Sequence, residues 1–282
     1  MERDIITVYC LIDEYLKASG IKDDVRAEIS NAEVLLIGYM AVNDFNGNYF
    51  KAHQYVKMMH LVKEIDYTRF LRRLVKINNV LSTLFLFLGS LFQRLNGAKI
   101  YSVDSFPVEL CQITRQSRVR LWSDPSLKGY NASKGRFFYG LKVHMVVTTD
   151  KEPVMVHISE GSIHDVTAGY QFMHHLPKES ITIGDKGYVS SKLEAFLKRF
   201  DIVLSPIGRN NMQQENKEDY FTKRRIRKGV ETAFSMITAK FGKVIKATTI
   251  GGFLTKLRLF ITAYAINCFL KLSDDKKALL FN

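Results

Sequence analysis

Three carboxylates in this chain stand where an acid is out of place. Asp104 lies in the run Tyr101-Ser102-Val103-Asp104-Ser105-Phe106-Pro107. A carboxylate inside an apolar strand is costly unless it is paired or binds a cation. Asp185 follows the apolar Ile181-Thr182-Ile183 and sits between Gly184 and Gly187, which lets backbone and ligand approach closely. Glu231 lies in Arg227-Lys228-Gly229-Val230-Glu231-Thr232-Ala233-Phe234-Ser235. There Val230, Phe234, Ile237 and Phe241 form an apolar stripe at helical spacing, with Glu231 at its edge. Arg224, Arg227 and Lys228 precede Glu231 by seven, four and three positions and share its face. Hard cations such as Mg²⁺ prefer carboxylate oxygens. Two of them about 4 Å apart can activate an attacking oxygen and stabilise a leaving one in phosphodiester chemistry. Each acid also has a plainer reading. Asp104 could close a turn or cap a helix, Asp185 could belong to a tight turn, and Glu231 could simply pair with Arg227.

The elements around these acids set where they stand. From about Asn96-Gly97 onward, strand and helix patterns alternate. Strands are predicted over 99–108, stopping at Pro107, and over 137–149 and 154–158, the last two as a hairpin. A helix over 162–176 opens with the capping form Ser162-Ile163-His164-Asp165. A short buried strand over 181–183, a helix over 190–199 and a strand over 202–205 follow. Residues 208–220 are polar and read as a loop, ahead of helices over 221–241 and 253–272. Asp104 is then on the opening strand, Asp185 at a carboxyl end of a strand, where ligands commonly bind in open α/β sheets, and Glu231 on a long helix. The fold class is α/β, a mixed sheet flanked by helices and preceded by an all-helical N-terminal domain. The expected domains are 1–97, 98–272 and a short tail over 273–282.

The first third reads as helices over 5–16, 32–42 and 52–61, with Asp66 as the N-cap of a fourth. On that fourth helix Arg69, Arg72 and Arg73 share a face. This suits either a helix-turn-helix DNA reader or a helical bundle with a solvated basic face.

Composition narrows the function classes. The chain has 282 residues, with 41 Lys or Arg against 28 Asp or Glu, a net charge of +13. Residues 1–98 hold 12 bases and 11 acids, so almost all the excess lies beyond them. A surplus of this size attracts polyanions, nucleic acid first and an acidic membrane surface second. Five bases occur in the six residues Lys223–Lys228, and Arg115, Arg118 and Arg120 form a looser cluster. Hydrophobic residues make up 46% and there are only 5 Pro, which excludes disorder as the dominant state. Cys10, Cys111 and Cys268 are odd in number and far apart, which suits reduced thiols rather than a disulfide scaffold. The start MERDIITVYC is not a signal peptide. The apolar stretch 80–92 is too short to span a bilayer, and 253–270 contains Lys256 and Arg258, so both read as buried helices. The expectation is a cytoplasmic, nucleoid-associated protein with no membrane span.

Five segments taken together resemble the DDE transposases of bacterial insertion sequences. They are Val103-Asp104-Ser105-Phe106-Pro107, Tyr139-Gly140-Leu141-Lys142-Val143-His144, Gly161-Ser162-Ile163-His164-Asp165, Ile183-Gly184-Asp185-Lys186-Gly187-Tyr188 and Arg224–Ser235. They occur in that family's order over about 99–270, with Asp104 and Asp185 separated by 81 residues and Asp185 and Glu231 by 46. The resemblance implies an RNase H-like core in which Asp104, Asp185 and Glu231 hold two Mg²⁺ (or Mn²⁺) ions. It implies cleavage at the terminal inverted repeats of an element and strand transfer into target DNA, by a homodimer or higher assembly on DNA. The chain departs from some relatives around the Glu: their Tyr seven positions before it is Arg224 here, and their Lys seven after it is Thr238. Candidate DNA contacts are Lys142, Lys186, Tyr188, Arg224, Arg225, Arg227, Lys228, Arg69, Arg72 and Arg73. His144 and His164 are candidate neighbours of the centre, and no Cys stands at ligand spacing for zinc. The rival readings are a plain metal-dependent nuclease of the same fold, an inactive DNA-binding relative, and a basic amphipathic helix on a lipid surface.

Overall fold

The computed structural model describes residues 2–207, 217–241 and 244–281. The chain folds as two compact units, Met1–Leu88 with Ile237–Ser273, and Gly89–Met236 with Asp274–Asn282.

The first unit is helical. It contains α1 (Glu2–Ala18), α2 (Asn31–Asn43), α3 (Tyr49–Met58), α4 (Tyr67–Lys76), the start of α5 (Asn78–Leu95) and, from the far end of the chain, α9 (Ile250–Leu270). α2 starts with a full capping box between Ser30 and Glu33, which satisfies two of the amides that a helix start leaves open. Asp66 caps α4 by accepting from the amides of Thr68 and Arg69 at 2.9 and 3.1 Å, as its sequence position predicts. Phe70 and Leu74 of α4 are fully buried, each stabilising by roughly 1.5–3 kcal/mol. α2 and α9 are apolar almost all round and pack together. A Cβ at Gly38 of α2 would meet methyls of Leu259 and Leu74 at 3.2 Å, so this glycine lets the helices close up. Tyr39 donates to Asn267 Oδ1 at 2.7 Å. The division expected after residue 97, with a catalytic domain running on to 272, differs from these units. α9 needs an apolar surround, and the N-terminal helices supply it. Among the described residues, α9 has the length and hydropathy to cross a membrane, and α4 with α5 would do so only as a span bent by 55°. Most of α9 is buried within the protein.

The second unit holds the sheet: β1 (Ile100–Cys111), β2 (Lys128–Asn131), β3 (Arg136–Thr148), β4 (Pro153–Glu160), β5 (Ser180–Gly184) and β6 (Ile202–Leu204). The main path runs β4-β3-β1-β5-β6, antiparallel across the first two joins and parallel across the last two, with β2 on the start of β3. This is the mixed sheet flanked by helices that the sequence predicts. α6 (Asp165–Phe172), α7 (Ser191–Lys198), most of α8 (Lys217–Phe241) and α10 (Asp274–Phe281) complete the unit.

Three local expectations differ from what is found. β1 runs on through Pro107 rather than stopping there. β5 pairs with β1 only as far as Val103, so a residue without an N–H is tolerated beyond that point. α6 opens at Asp165 with His164 as N-cap, and no side-chain cap bond forms. Of the loop expected over 208–220, residues 208–216 lie outside the described residues, and 217–220 already belong to α8.

Candidate active site

The register of the sheet sorts the polar residues onto its two faces. Ser105 of β1 pairs with His144 of β3, and Pro107 pairs with Lys142, while Asp104 and Phe106 pair with Met145 and Val143. Alternation therefore puts Ser105, Lys142 and His144 on one face and Asp104 with Phe106 on the other. The Phe106 ring lies 4.6 Å from that of Phe234 on α8, so the Asp104 face is the one α8 covers. Val103 is level with Gly184, the last residue of β5, which puts Asp185 beside the same point on β1.

Backbone amides aim both strand-borne acids. The Ser105 N–H donates to Asp104 Oδ1 at 2.7 Å, and the Gly187 N–H donates to Asp185 Oδ1 at 2.8 Å. Burial raises the Asp104 pKa to about 7; the nearby Asp185 and Asp165 add to the rise, while the Ser105 amide and Arg227 oppose it. Burial also raises Asp185, against the pull of its Gly187 hydrogen bond, Arg227 and Lys142. The fold thus holds two acids close together as uneasy anions.

Glu231 is different. It lies on α8 with its side chain 48% exposed and hydrogen-bonds to Arg227 one turn earlier. Burial works against the Arg227 charge, and Glu231, Asp104 and Asp185 more than offset it. Arg227 is thus a cation shared by all three acids. Among the described residues, no three acidic, His or Cys side chains converge tightly enough to ligate one ion. The donor set still fits a hard divalent cation. It is made of carboxylate oxygens, and burial disfavours an uncompensated negative charge on two of the acids. Gly187 also leaves a hollow between acids, where a Cβ would stand 2.8 Å from Asp165 Oδ2 and 2.9 Å from Asp185 Oδ1.

Several candidates are placed otherwise than the sequence suggests. Tyr188 is fully buried and hydrogen-bonds to His144 Nδ1 at 3.2 Å, so it is not a surface contact for phosphate. His144 is also buried, bonded to Ser159 Oγ at 2.9 Å through Nε2. Burial lowers its pKa to about 4 against the pull of Asp165, so it is neutral at pH 7. Burial accounts for the correction at Tyr188, while His144, with Nδ1 3.8 Å from Asp165 Oδ1, stands beside the acids. Lys142 is mostly buried, donating to Ile163 O at 2.8 Å and lying 3.3 Å from Asp165 Oδ1; its charge is used inside the protein. Arg73 spans from α4 to Ile29 O at 2.6 Å and Asn31 Oδ1 at 3.0 Å, which makes it a tether for the start of α2. Arg69, Arg72, Lys186, Arg224, Arg225 and Lys228 are exposed, as is His164 at the start of α6.

Asp165 is the charged residue that sequence reasoning misses. Its position reads as that of a capping residue, but its carboxylate accepts from Ser105 Oγ at 3.0 Å and pairs with Lys142. The available signal is Lys142 beside His144 on an apolar strand, a buried cation that requires a partner.

Comparison with curated proteins returned no match. Among solved structures, the chain is similar to a piggyBac transposase in a synaptic complex with hairpin DNA. The two are 11% identical with a TM-score of 0.43, over 98% of this chain and 76% of that one. Residues 96–268 match the family described as the transposase DDE domain. That span is more than half of the chain, takes in Asp104, Asp185 and Glu231, and makes this protein a member of the DDE transposase domain family.

Proposed function

We propose that this protein is the transposase of a bacterial insertion sequence, cutting DNA at the ends of its element and joining them to target DNA. The observation that carries the reading is the placement of Asp104 and Asp185 side by side, both amide-aimed and both raised in pKa, opposite a helix bearing Glu231 and exposed bases. Asp104, Asp185 and Glu231 would hold two Mg²⁺ or Mn²⁺ ions, which supply activation of the attacking oxygen and stabilisation of the leaving one. Glu231 joins the other two when it gives up Arg227. That guanidinium is then released toward a phosphate, for which its planar fork is well suited. In the first step water attacks an end phosphodiester and a 3′-hydroxyl is freed. In the second, that hydroxyl attacks a target phosphodiester, forms the new ester and leaves a 3′-hydroxyl on the target strand.

Arg224, Arg225 and Lys228 on α8, Lys186 beside Asp185, and Arg69 and Arg72 on α4 are positioned in sequence and exposure to meet DNA phosphates. The substrate is double-stranded DNA, both the terminal inverted repeats and the target. The need to join two ends favours a homodimer or larger assembly, and a chromosomal substrate implies a cytoplasmic protein associated with the nucleoid.

The test is incubation of the purified protein with DNA carrying the sequences that flank its gene, in Mg²⁺ and in EDTA, beside Asp185→Asn. The expected result is Mg²⁺-dependent nicks at defined ends with joined products, all absent from the variant. Cleavage at random positions without joining would indicate a plain nuclease. Binding without cleavage in any divalent metal would indicate an inactive DNA-binding relative.

A further inference from the structure

We infer that Asp165 is a positioning residue of this centre, acting from the far face of the sheet on both strand-borne acids. The inference rests on the proposed metal-holding role of Asp104 and Asp185. Asp104 faces α8, whereas Asp165 approaches the face that carries Ser105, Lys142 and His144. Its Oδ1 accepts from Ser105 Oγ at 3.0 Å. Ser105 is the residue whose own N–H donates to Asp104 Oδ1 at 2.7 Å. Anchoring the Ser105 side chain therefore fixes the peptide that aims Asp104. The other oxygen, Oδ2, lies against Gly187, at 2.8 Å from where a Cβ would stand. Gly187 is the residue whose N–H donates to Asp185 Oδ1 at 2.8 Å. One carboxylate thus braces the two amides that orient the two acids.

The brace is itself held. Lys142 Nζ lies 3.3 Å from Asp165 Oδ1 and donates to Ile163 O, two residues before Asp165. The Asp165 side chain is 19% exposed, that of Lys142 14%, so their pairing is largely shielded from solvent and more persistent than a surface pair. Other titratable groups on this face are His157 of β4, which pairs with His144, and His144 itself. The Nδ1 of His144 lies 3.8 Å from Asp165 Oδ1, and its hydrogen bonds go to Tyr188 and Ser159. Groups that orient metal ligands from behind commonly change metal affinity by about 10- to 100-fold when removed.

The experiment is titration of the full-length protein with Mn²⁺ alone, without DNA, followed by electron paramagnetic resonance of the free ion, with thermal melting in parallel. Wild type, Asp165→Asn, Ser105→Ala and the double variant are compared. Asp165→Asn is expected to bind Mn²⁺ about tenfold more weakly. Ser105→Ala, which keeps every charge, is expected to bind severalfold more weakly and to melt close to wild type. The double variant is expected to be no weaker than Asp165→Asn, because both changes break one link. Wild-type affinity in Ser105→Ala would overturn the positioning role, leaving at most a bulk charge effect for Asp165. Wild-type affinity in Asp165→Asn would overturn it outright. Should the wild type itself take up no Mn²⁺, the metal-holding reading of Asp104 and Asp185 fails and this inference fails with it, an outcome distinct from the other two.

Discussion

Asp104 sits on β1 and Asp185 directly past the end of the neighbouring β5, while Glu231 sits on a long helix that passes over the sheet. The two strand-borne acids are largely buried, each receives a backbone N–H, and burial raises both pKa values. Glu231 is half-exposed and its partner is a side chain, Arg227. The two acids directly follow the last β1–β5 pair, Val103 with Gly184, which keeps their backbones close, so a cation would relieve both. The helix acid already has a cation in Arg227, which the proposed metal-holding role would require it to exchange. On the proposed metal-holding roles, two ligands are ready and the third is conditional, so the two kinds of acid should respond differently to the same neutralising change.

The largest expected contrast is in metal uptake. Asp185→Asn should weaken Mn²⁺ binding by more than about 100-fold, beyond the range seen for residues behind the ligands, whereas Glu231→Gln should weaken it by only about tenfold. Both should abolish cleavage. Equal losses of Mn²⁺ affinity in titrations of the two variants would break the distinction between ready and conditional ligands.

Next is the pH dependence of stability in metal-free buffer. The folded-state pKa of Asp104 is raised from an ordinary 3.8 to about 7. The native protein therefore binds more protons at this site than the unfolded chain between those values, and stability is lost as pH rises through that window. Asp104→Asn removes the effect. Its melting temperature should exceed that of wild type by about 4 °C or more at pH 8 and match it near pH 4. A constant difference at both pH values would mean that the strand acid is not held as an uneasy anion.

The smallest effect concerns Arg227. Its ion pair with Glu231 is partly exposed, and such pairs contribute up to about 1 kcal/mol, or roughly fivefold in an equilibrium. Arg227→Gln should release Glu231 and tighten Mn²⁺ binding in the absence of DNA by up to that factor. Weaker Mn²⁺ binding in the variant would show that Arg227 assembles the centre rather than competing within it.

Much of this is readable in the chain. An acid interrupting Tyr101–Phe106, another closing Ile181–Ile183 between glycines, and a third on a basic helix are each conspicuous by residue type and spacing. Their strands and helix occur where the periodicity predicts. The cap at Asp66 also forms as its position suggests. The misses share a cause. Asp165 has the right offset from Ser162 for a capping box, yet it is drawn to Ser105 and Lys142, 60 and 23 residues away. Tyr188 follows a polar turn yet fills the interior beside His144. Arg73 belongs to a basic stripe yet is used to hold the backbone of Ile29, 44 residues earlier.

The identity of the acids, the alternation of strand and helix and the siting of the positive charge were legible in the sequence, because each depends on residue type and on a period of two or 3.6 along one segment. Which face of the sheet a side chain takes relative to its partners, whether a base is exposed or engaged, and which helices surround α9 were decided by the tertiary structure. Those properties depend on burial and on partners from distant segments, and a carboxylate or guanidinium in the interior must bond to whatever the fold brings there.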